Sequence, residues 1–182
     1  MAIVPDDKDW TWVITGRCPE CGFVARDHDP TTTSEIIRKH QEIWTSVLVG
    51  EIAARPDPSV PIHRDYWSPL EYGCHVRDVC RIYNERLLLM VYEDDPLYAN
   101  WDQDATAIEA RYSEQDAVVV DRELRAAAAA LAATFDAAAE GSPAVWDRTG
   151  RRSDGASFTI TTFSQYLVHD LVHHLWDIDA VP

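Results

Sequence analysis

Residues 67–93, WSPLEYGCHVRDVCRIYNERLLLMVYE, decide the fold. Ser68 suits a helix N-cap, Pro69 the first helical position and Glu71 the third, a combination that marks the start of a helix. Apolar side chains then recur at helical spacing for about six turns. The stretch predicts a long helix, the second of the chain because a similar pattern precedes it.

Three other segments repeat this three- and four-residue spacing of apolar side chains. They cover roughly residues 34–50, residues 113–140 and the segment that ends with YLVHDLVHHLWDI at 166–178. The third of the four predicted helices contains five successive alanines, which favour helix formation and let neighbouring helices approach closely. Four long helices predict an all-α fold, an antiparallel up-and-down four-helix bundle.

The last helix follows SFTIT, residues 157–161, which alternates polar and apolar side chains as a strand does. No other segment of the sequence offers this stretch a partner of comparable pattern. We therefore predict that Thr161 or Thr162 caps the fourth helix, rather than that a strand pairs here.

The chain divides into two parts of different character. Residues 1–30 contain turn formers and no sustained period, and predict an irregular N-terminal arm that carries the CxxC of Cys18 and Cys21. Residues 31–182 contain the four helices and predict the bundle domain.

Charge excludes several classes of partner. Lys and Arg number 16 against 31 Asp and Glu, and the net charge of −15 opposes binding to nucleic acid or to an anionic membrane. The sequence has no apolar run of about 18 residues and no secretion signal, so we expect a cytoplasmic protein that acts on a small molecule. The oligomeric state is left open, with a homodimer through an exposed helix face as one expectation.

Three histidines within six residues of the last helix suggest a metal site. Two pairs stand four residues apart, His169 with His173 and Asp170 with His174, and either pair can bind one ion. At about 100° per residue, His174 lies about 80° and Asp170 about 120° from the centre of the apolar face, and the other pair lies at about 140° and 180°. The wheel favours Asp170 and His174 as the inward pair, with His173 facing solvent or a covering loop.

His75 lies on the same face of the second helix as Tyr72 and Val79, so it too is expected to point into the bundle. Metal sites in bundles are built from inward side chains on facing helices. Three protein ligands leave one position open, as in catalytic rather than structural zinc sites. His75, Asp170 and His174 are therefore the predicted ligands, and the other interpretation is that these side chains only pack as polar groups.

These residues carry a resemblance to the DinB/YfiT-like superfamily. Trp67, Ser68, Glu71 and His75 match its W-S-x-x-E-x-x-x-H motif, and HHLWDI at 173–178 resembles its second motif. The resemblance covers roughly residues 31–180, and GRCPECGF in the arm resembles the opening of a subgroup of actinobacterial type. It implies a four-helix bundle that holds zinc or nickel through one ligand of the second helix and two of the fourth.

Aligned on Ile178, the second motif implies Asp170 and His174 as metal ligands. This set is similar to the Glu-containing one of the mycothiol-dependent maleylpyruvate isomerase branch, with Asp shorter by one methylene. A register shifted by one residue gives His169 and His173 and an all-histidine site instead. The family also implies that the metal binds a low-molecular-weight thiol such as mycothiol and activates it for attack on an electrophile.

The resemblance thus implies a thiol S-transferase or an isomerase, and other residues have the chemistry to assist it. The catalytic candidates are Tyr72, Tyr166 and Arg77, and the candidates for binding a cofactor are Arg151, Arg152 and Trp101. Tyrosine can donate a proton, arginine can bind carboxylates, and Trp101 would shape a pocket under the acidic loop DDPLYANWDQD. The alternative is a non-catalytic metal- or ligand-binding stress protein in which the metal is structural or absent.

Cys18 and Cys21 resemble one knuckle of a zinc ribbon, although the sequence has no second CxxC. A second metal site would need further ligands, for which His28 with Cys74 or Cys80 are the candidates. The spacing also suits a redox dithiol, and the plainest interpretation is a tight turn that packs the arm.

Overall fold

The computed structural model describes residues 9–50, 58–63 and 67–180. The first eight residues of the predicted arm lie outside the described residues. Within these ranges the chain forms five α-helices: α1 (Thr33–Val49), α2 (Pro69–Tyr92), α3 (Gln103–Glu109), α4 (Ala117–Glu140) and α5 (Ile160–Asp177). The four long ones correspond to the predicted helices, and α3 is a short piece within the acidic connector.

Helix α2 begins as its sequence predicts. The Ser68 hydroxyl accepts a hydrogen bond from the Glu71 amide at 3.2 Å, and the Ser68 amide donates to the Glu71 carboxylate at 2.8 Å. This reciprocal capping satisfies two backbone donors and fixes where the first turn lies. Because His75 follows one turn later, the cap also sets the position of that side chain.

The four long helices form a bundle, but successive helices are not all neighbours. Helix α4 packs against both α1 and α2, and α5 packs against the same two helices from the other side. The order around the bundle is therefore α1, α4, α2, α5, and α1 and α2 lie on a diagonal. The predicted up-and-down order is wrong in this respect, because that order would make the successive helices α1 and α2 direct neighbours.

A small sheet shows that the fold is mostly helical rather than all-α. Strand β1 (Leu97–Tyr98) pairs in parallel with β2 (Thr149–Arg152), which pairs antiparallel with β3 (Ser157–Thr159). The strand that pairs with SFTIT thus lies in the polar loop just before it. Its side chains do not alternate between polar and apolar, so the sequence pattern did not predict a strand there. Thr159, not Thr161 or Thr162, caps α5, and Thr162 completes its capping box.

The interior of the bundle is apolar and extends to the described part of the arm. Trp44, Leu131 and Phe135 are among the largest fully buried side chains. Residues 9–32 form three short 3-10 turns that pack along α5, and Val13 and Ala25 of this segment are buried. None of the helices in the described ranges is both long enough and apolar enough to cross a membrane.

Candidate metal centre

Three side chains from two neighbouring helices converge at one point. His75 extends from α2, and Asp170 and His174 lie one turn apart on α5, so that one ligand atom from each lies within 4.8 Å of the others. The Nε2 atom of His174 is 3.3 Å from Asp170 Oδ1, and that of His75 is 3.9 Å from Asp170 Oδ2. The structure thus brings the three predicted ligands together, while metal binding by them stays a prediction.

The atoms that face each other at this point are buried and lack ordinary partners. His75 Nε2, Asp170 Oδ2 and His174 Nε2 have no hydrogen-bond partner among the described residues. A buried polar atom without a well-formed hydrogen bond costs about 1–3 kcal/mol, and here the ion-pair contacts of the two histidines with Asp170, at 3.3 and 3.9 Å, compensate only in part. A cation bound between them would satisfy all three, and two imidazoles with one carboxylate are a donor set that divalent metals accept.

The charges of the cluster favour a bound cation. Burial opposes ionisation of Asp170, but the neighbouring His174 outweighs it and holds the pKa of that carboxyl well below its usual value. Burial likewise opposes protonation of His174, but Asp170 and Asp177 raise the pKa of its ring to about 10. Burial lowers the pKa of His75, which stays neutral. The site therefore offers one carboxylate and one neutral imidazole, and an ion that binds must displace a proton from His174.

Asp177 is a functional candidate that the sequence analysis missed. Its side chain is 4% exposed, and its Oδ2 accepts a hydrogen bond from Nδ1 of His174 at 2.9 Å. This bond fixes the tautomer of His174 and leaves Nε2 facing His75 and Asp170. The other oxygen of Asp177 lies 3.7 Å from Nε2 of His173. The signal was present as a carboxylate three residues after His174 on the same helix.

A cavity of about 600 Å³ opens beside the cluster. Its lining includes His75, Asp170, Trp101, Tyr166, Arg152 and Asn100. The Trp101 ring stacks on the His75 ring, with 5.2 Å between the centroids and 10° between the planes. Three of the predicted assisting residues, Trp101, Tyr166 and Arg152, therefore lie where a small molecule could reach them.

Other predicted residues take different positions. Tyr72 does not line this cavity but packs its ring against that of His174, with centroids 5.0 Å apart. Arg77 is buried, and its guanidinium binds Asp78 at 2.9 Å and Glu123 at 3.1 Å, which joins α2 to α4. Neither side chain lines the cavity, and a catalytic role for Tyr72 or Arg77 stays a prediction.

Arg151 is likewise placed away from the cavity. Its guanidinium binds the Asp95 carboxylate at 2.7 Å, and half of its side chain is exposed. Alternation along β2 sends Arg151 and Arg152 to opposite faces of the sheet, so only the second reaches the site. Cofactor binding by Arg151 stays a prediction, and it would have to occur outside this cavity.

The second pair of the last helix meets different neighbours. His169 and His173 face Cys18 and Cys21, and ligand atoms of these four residues lie within 4.8 Å of one another. The all-histidine register with His75 is thus not what the structure brings together. His173 is only 6% exposed, because the arm covers it. Of the two surroundings predicted for this side chain, solvent or a covering loop, the structure shows the second.

The residues expected to complete a cysteine site lie elsewhere. The Nε2 atom of His28 is hydrogen-bonded to the Thr33 hydroxyl at 3.0 Å, and Cys74 and Cys80 are buried on α2. The structure does not bring them together with the CxxC, because the arm runs along α5 instead. Burial also raises the pKa of the Cys21 thiol to about 12, which disfavours the thiolate that a redox dithiol needs.

Comparisons with known proteins identify the family and the fold. A family model described as the DinB superfamily matches residues 32–178. A solved structure of YfiT from Bacillus subtilis, described as a probable metal-dependent hydrolase with an unusual four-helix bundle topology, is similar with a TM-score of 0.71 and 12% sequence identity. The similarity covers 93% of this chain and 95% of that one. A search of the curated proteins gave no significant match.

Proposed function

The chain belongs to the DinB superfamily, and we propose that it is a metal-dependent enzyme whose single catalytic ion is held by His75, Asp170 and His174. The observation that carries the proposal is the convergence of three buried ligand atoms without hydrogen-bond partners, two of whose residues, His75 and Asp170, line a cavity. Three protein ligands leave at least one coordination position for an exogenous group, which distinguishes catalytic from structural sites.

The donor set favours zinc or nickel. Imidazole nitrogen binds both ions well, and a carboxylate completes the set without excluding either. Asp170 is one methylene shorter than glutamate, yet its Oδ1 and Oδ2 already lie 3.3 Å from His174 and 3.9 Å from His75. The shorter side chain therefore reaches the cluster.

We further propose that the group activated is the thiol of a small cofactor such as mycothiol. Bound at the site, the ion would lower the pKa of that thiol and hold it as a thiolate. The cavity is far larger than one water needs, and Asn100 and Asp154 in its wall offer hydrogen bonds to a hydroxyl-rich molecule. The Trp101 indole lines the cavity beside His75 and would offer a stacking surface next to the metal ligands.

Two residues of the cavity have the chemistry to serve the electrophile. Burial and the Asp170 carboxylate raise the pKa of Tyr166, so its hydroxyl keeps its proton and can donate it to a developing anion. Arg152 packs over the Tyr166 ring with 5.9 Å between guanidinium and centroid and is ion-paired with Asp154 at 2.8 Å; both line the cavity, where N–H groups of Arg152 would bind an anionic substrate. Together they favour transfer of the thiol, or an isomerisation that passes through a thiol adduct.

Hydrolysis is the second candidate function. The fold is similar to that of a protein described as a probable metal-dependent hydrolase, and the same open position would accept water as the nucleophile. The two functions differ in one measurable respect, since thiol transfer requires an added thiol and hydrolysis does not.

A paired activity assay tests the proposal. The metal-loaded protein is incubated with an activated aryl halide plus a panel of low-molecular-weight thiols, and separately with an activated ester without thiol. We expect thiol-dependent turnover that chelation abolishes and that the same metal restores. Turnover of the ester alone would favour hydrolysis, and a chelation-dependent loss of melting temperature without any turnover would favour the non-catalytic alternative.

Histidine variants link the activity to the site. His75→Ala and His174→Ala should each lose one equivalent of metal and all thiol-dependent turnover. His63→Ala is the matched control, since this histidine is exposed and is ion-paired with Asp179 at 3.1 Å. Full metal content and full turnover in His75→Ala would exclude α2 from the centre and overturn the proposed ligand set.

A further inference from the structure

We propose that the chain has a second metal site, a structural zinc site formed by Cys18, Cys21, His169 and His173. The four residues each contribute one ligand atom to a group in which all atoms lie within 4.8 Å of one another. Cys18, His169 and His173 are buried, and Cys21 is half-buried. This site is distinct from the proposed catalytic centre and shares none of its ligands.

The distances suit a tetrahedral ion. With Zn–S near 2.3 Å and Zn–N near 2.0–2.1 Å, sulfur and nitrogen at two corners of a tetrahedron lie about 3.6 Å apart. Cys18 Sγ and Nδ1 of His173 are 3.7 Å apart, although 155 residues separate them in the chain. The pair therefore already has the spacing of two zinc ligands.

A tight turn brings the two sulfurs to one side. The Gly22 amide donates to the Cys18 carbonyl at 3.0 Å, and the Cys18 amide donates to the Phe23 carbonyl at 2.9 Å. Gly22 has a φ of +77°, a conformation that glycine adopts without strain. The sequence CPECG thus forms a closed turn, and it places the knuckle against the face of α5 that carries the two histidines.

The ring nitrogens of His169 and His173 are positioned as metal ligands would be. Nε2 of His169 is buried and has no hydrogen-bond partner in the described part of the chain. His173 directs Nδ1 to Cys18 and places Nε2 3.3 Å from the Glu20 carboxylate, and Asp177 lies on the same side at 3.7 Å. A carboxylate on the outer nitrogen orients a ligating imidazole and raises its basicity.

Aromatic rings shield this cluster from water. The Trp10 ring lies 4.9 Å from that of His173, and the Phe23 ring lies 5.7 Å from that of His169. Four protein ligands with two sulfurs and two nitrogens, closed off by an apolar cover, are typical of a structural zinc site without an open position. The ion would fasten residues 9–32 onto α5, the helix that also supplies Asp170 and His174.

Cobalt substitution of the full-length protein tests the proposal. Co²⁺ bound to thiolate gives an intense near-ultraviolet charge-transfer absorption, whereas the centre of His75, Asp170 and His174 has no sulfur and cannot produce it. We expect two equivalents of Co²⁺ and the thiolate absorption in the wild-type protein. Cys18→Ser and His169→Ala should each lose one equivalent together with the absorption.

Two controls separate this site from the proposed catalytic centre. Cys80→Ser changes a buried cysteine outside the cluster and should keep both equivalents and the absorption. His174→Ala should lose one equivalent and keep the absorption, so failure of the catalytic proposal is distinguishable from failure of this one. Absence of the absorption in wild-type protein, or its survival in Cys18→Ser, would overturn the second site.

A measurement on the wild-type protein covers the case in which a variant fails to fold. Alkylation of the zinc-loaded protein, mapped by mass spectrometry, should leave Cys18 and Cys21 unmodified, and chelation should expose both to the reagent. Equal modification of Cys21 with and without zinc would contradict the proposal, since a thiolate bound to the ion does not react freely.

Discussion

Replacing Asp177 with asparagine should weaken both proposed metal sites, and unequally. The side chain is 4% exposed and stands between the two clusters. One oxygen accepts a hydrogen bond from Nδ1 of His174 at 2.9 Å, and the other lies 3.7 Å from Nε2 of His173. Asparagine keeps the volume and removes the charge, so the change acts on how the two rings are oriented and how basic they are.

The distances set the expected magnitudes. Loss of an outer-shell carboxylate typically lowers metal affinity by about 10–100-fold, which is about 1.4–2.7 kcal/mol. His174 depends on Asp177 through a direct bond, so the site with His75 should show a loss in this range. His173 is beyond hydrogen-bond distance from Asp177 and is also contacted by Glu20 at 3.3 Å, so the cysteine site should lose less than about tenfold.

Competition with a chromophoric chelator measures both affinities. Titration of Co²⁺ against the chelator gives two dissociation constants, and the thiolate absorption assigns one of them to the cysteine site. Asp179→Asn is the matched control, because it makes the same change of charge two residues away on a more exposed side chain that is paired with His63. Melting temperatures of the metal-free proteins check that the fold is retained.

Two results would refute the reasoning. If Asp177→Asn and Asp179→Asn bound metal equally well, the carboxylate of Asp177 would have no part in preparing either ring. If the cysteine site lost more affinity than the site with His75, the 3.7 Å contact of Asp177 with His173 would matter more than its 2.9 Å hydrogen bond with His174, contrary to the reasoning.

Three further changes test the fold that carries the site. Asp78→Asn should destabilise the folded protein by about 2–4 kcal/mol at pH 7, because it removes a charged partner of the buried Arg77. Burial opposes ionisation of Asp78, but Arg77 outweighs this effect and lowers the pKa of the carboxyl. The stabilisation is therefore complete above about pH 4, and urea unfolding of the wild-type protein should show it disappearing as the pH falls through the lowered pKa. Gly150→Ala should destabilise by about 1–3 kcal/mol, since its Cβ would lie 2.7 Å from Met90 Cγ, and an unchanged melting temperature would contradict this. Ser68→Ala should cost about 0.5–2 kcal/mol in urea unfolding through loss of the α2 cap, and a smaller effect than Ser59→Ala would count against it.

The parts of the molecule that the sequence predicts well depend on local rules. The cap at Ser68 follows from residue types three positions apart, and the inward position of Asp170 and His174 follows from the helical period. Both need only a few neighbouring residues, so a single sequence contains the information. The DinB relationship was visible for the same reason, because its motifs lie within these helix turns.

The parts that were missed depend on contacts between distant segments. The order of the helices around the bundle is decided by where connectors cross, which periodicity does not report. Strand β2 is polar and short, and it becomes a strand only because β1 and β3 lie beside it. The neighbours of Cys18 and Cys21 lie at the other end of the chain, so no spacing rule applied to the arm could find them.

The histidine pairs of the last helix were interpreted too narrowly from the sequence. His169 with His173 and Asp170 with His174 were treated as alternative registers of one site. Successive positions on a helix differ by about 100°, so the two pairs face different neighbours and need not compete. The structure uses one face of α5 against α2 and the next against the arm.

The contact between Cys18 and His173 has a consequence for the order in which the protein folds. It joins positions 155 residues apart, and the entropy lost in closing a loop grows with the logarithm of its length. The arm precedes α5 in the chain, so it leaves the ribosome before its docking surface does. Residues 9–32 can therefore pack natively only after α5 has been made, and until then the cysteine pair remains accessible to oxidants and to competing metal ions.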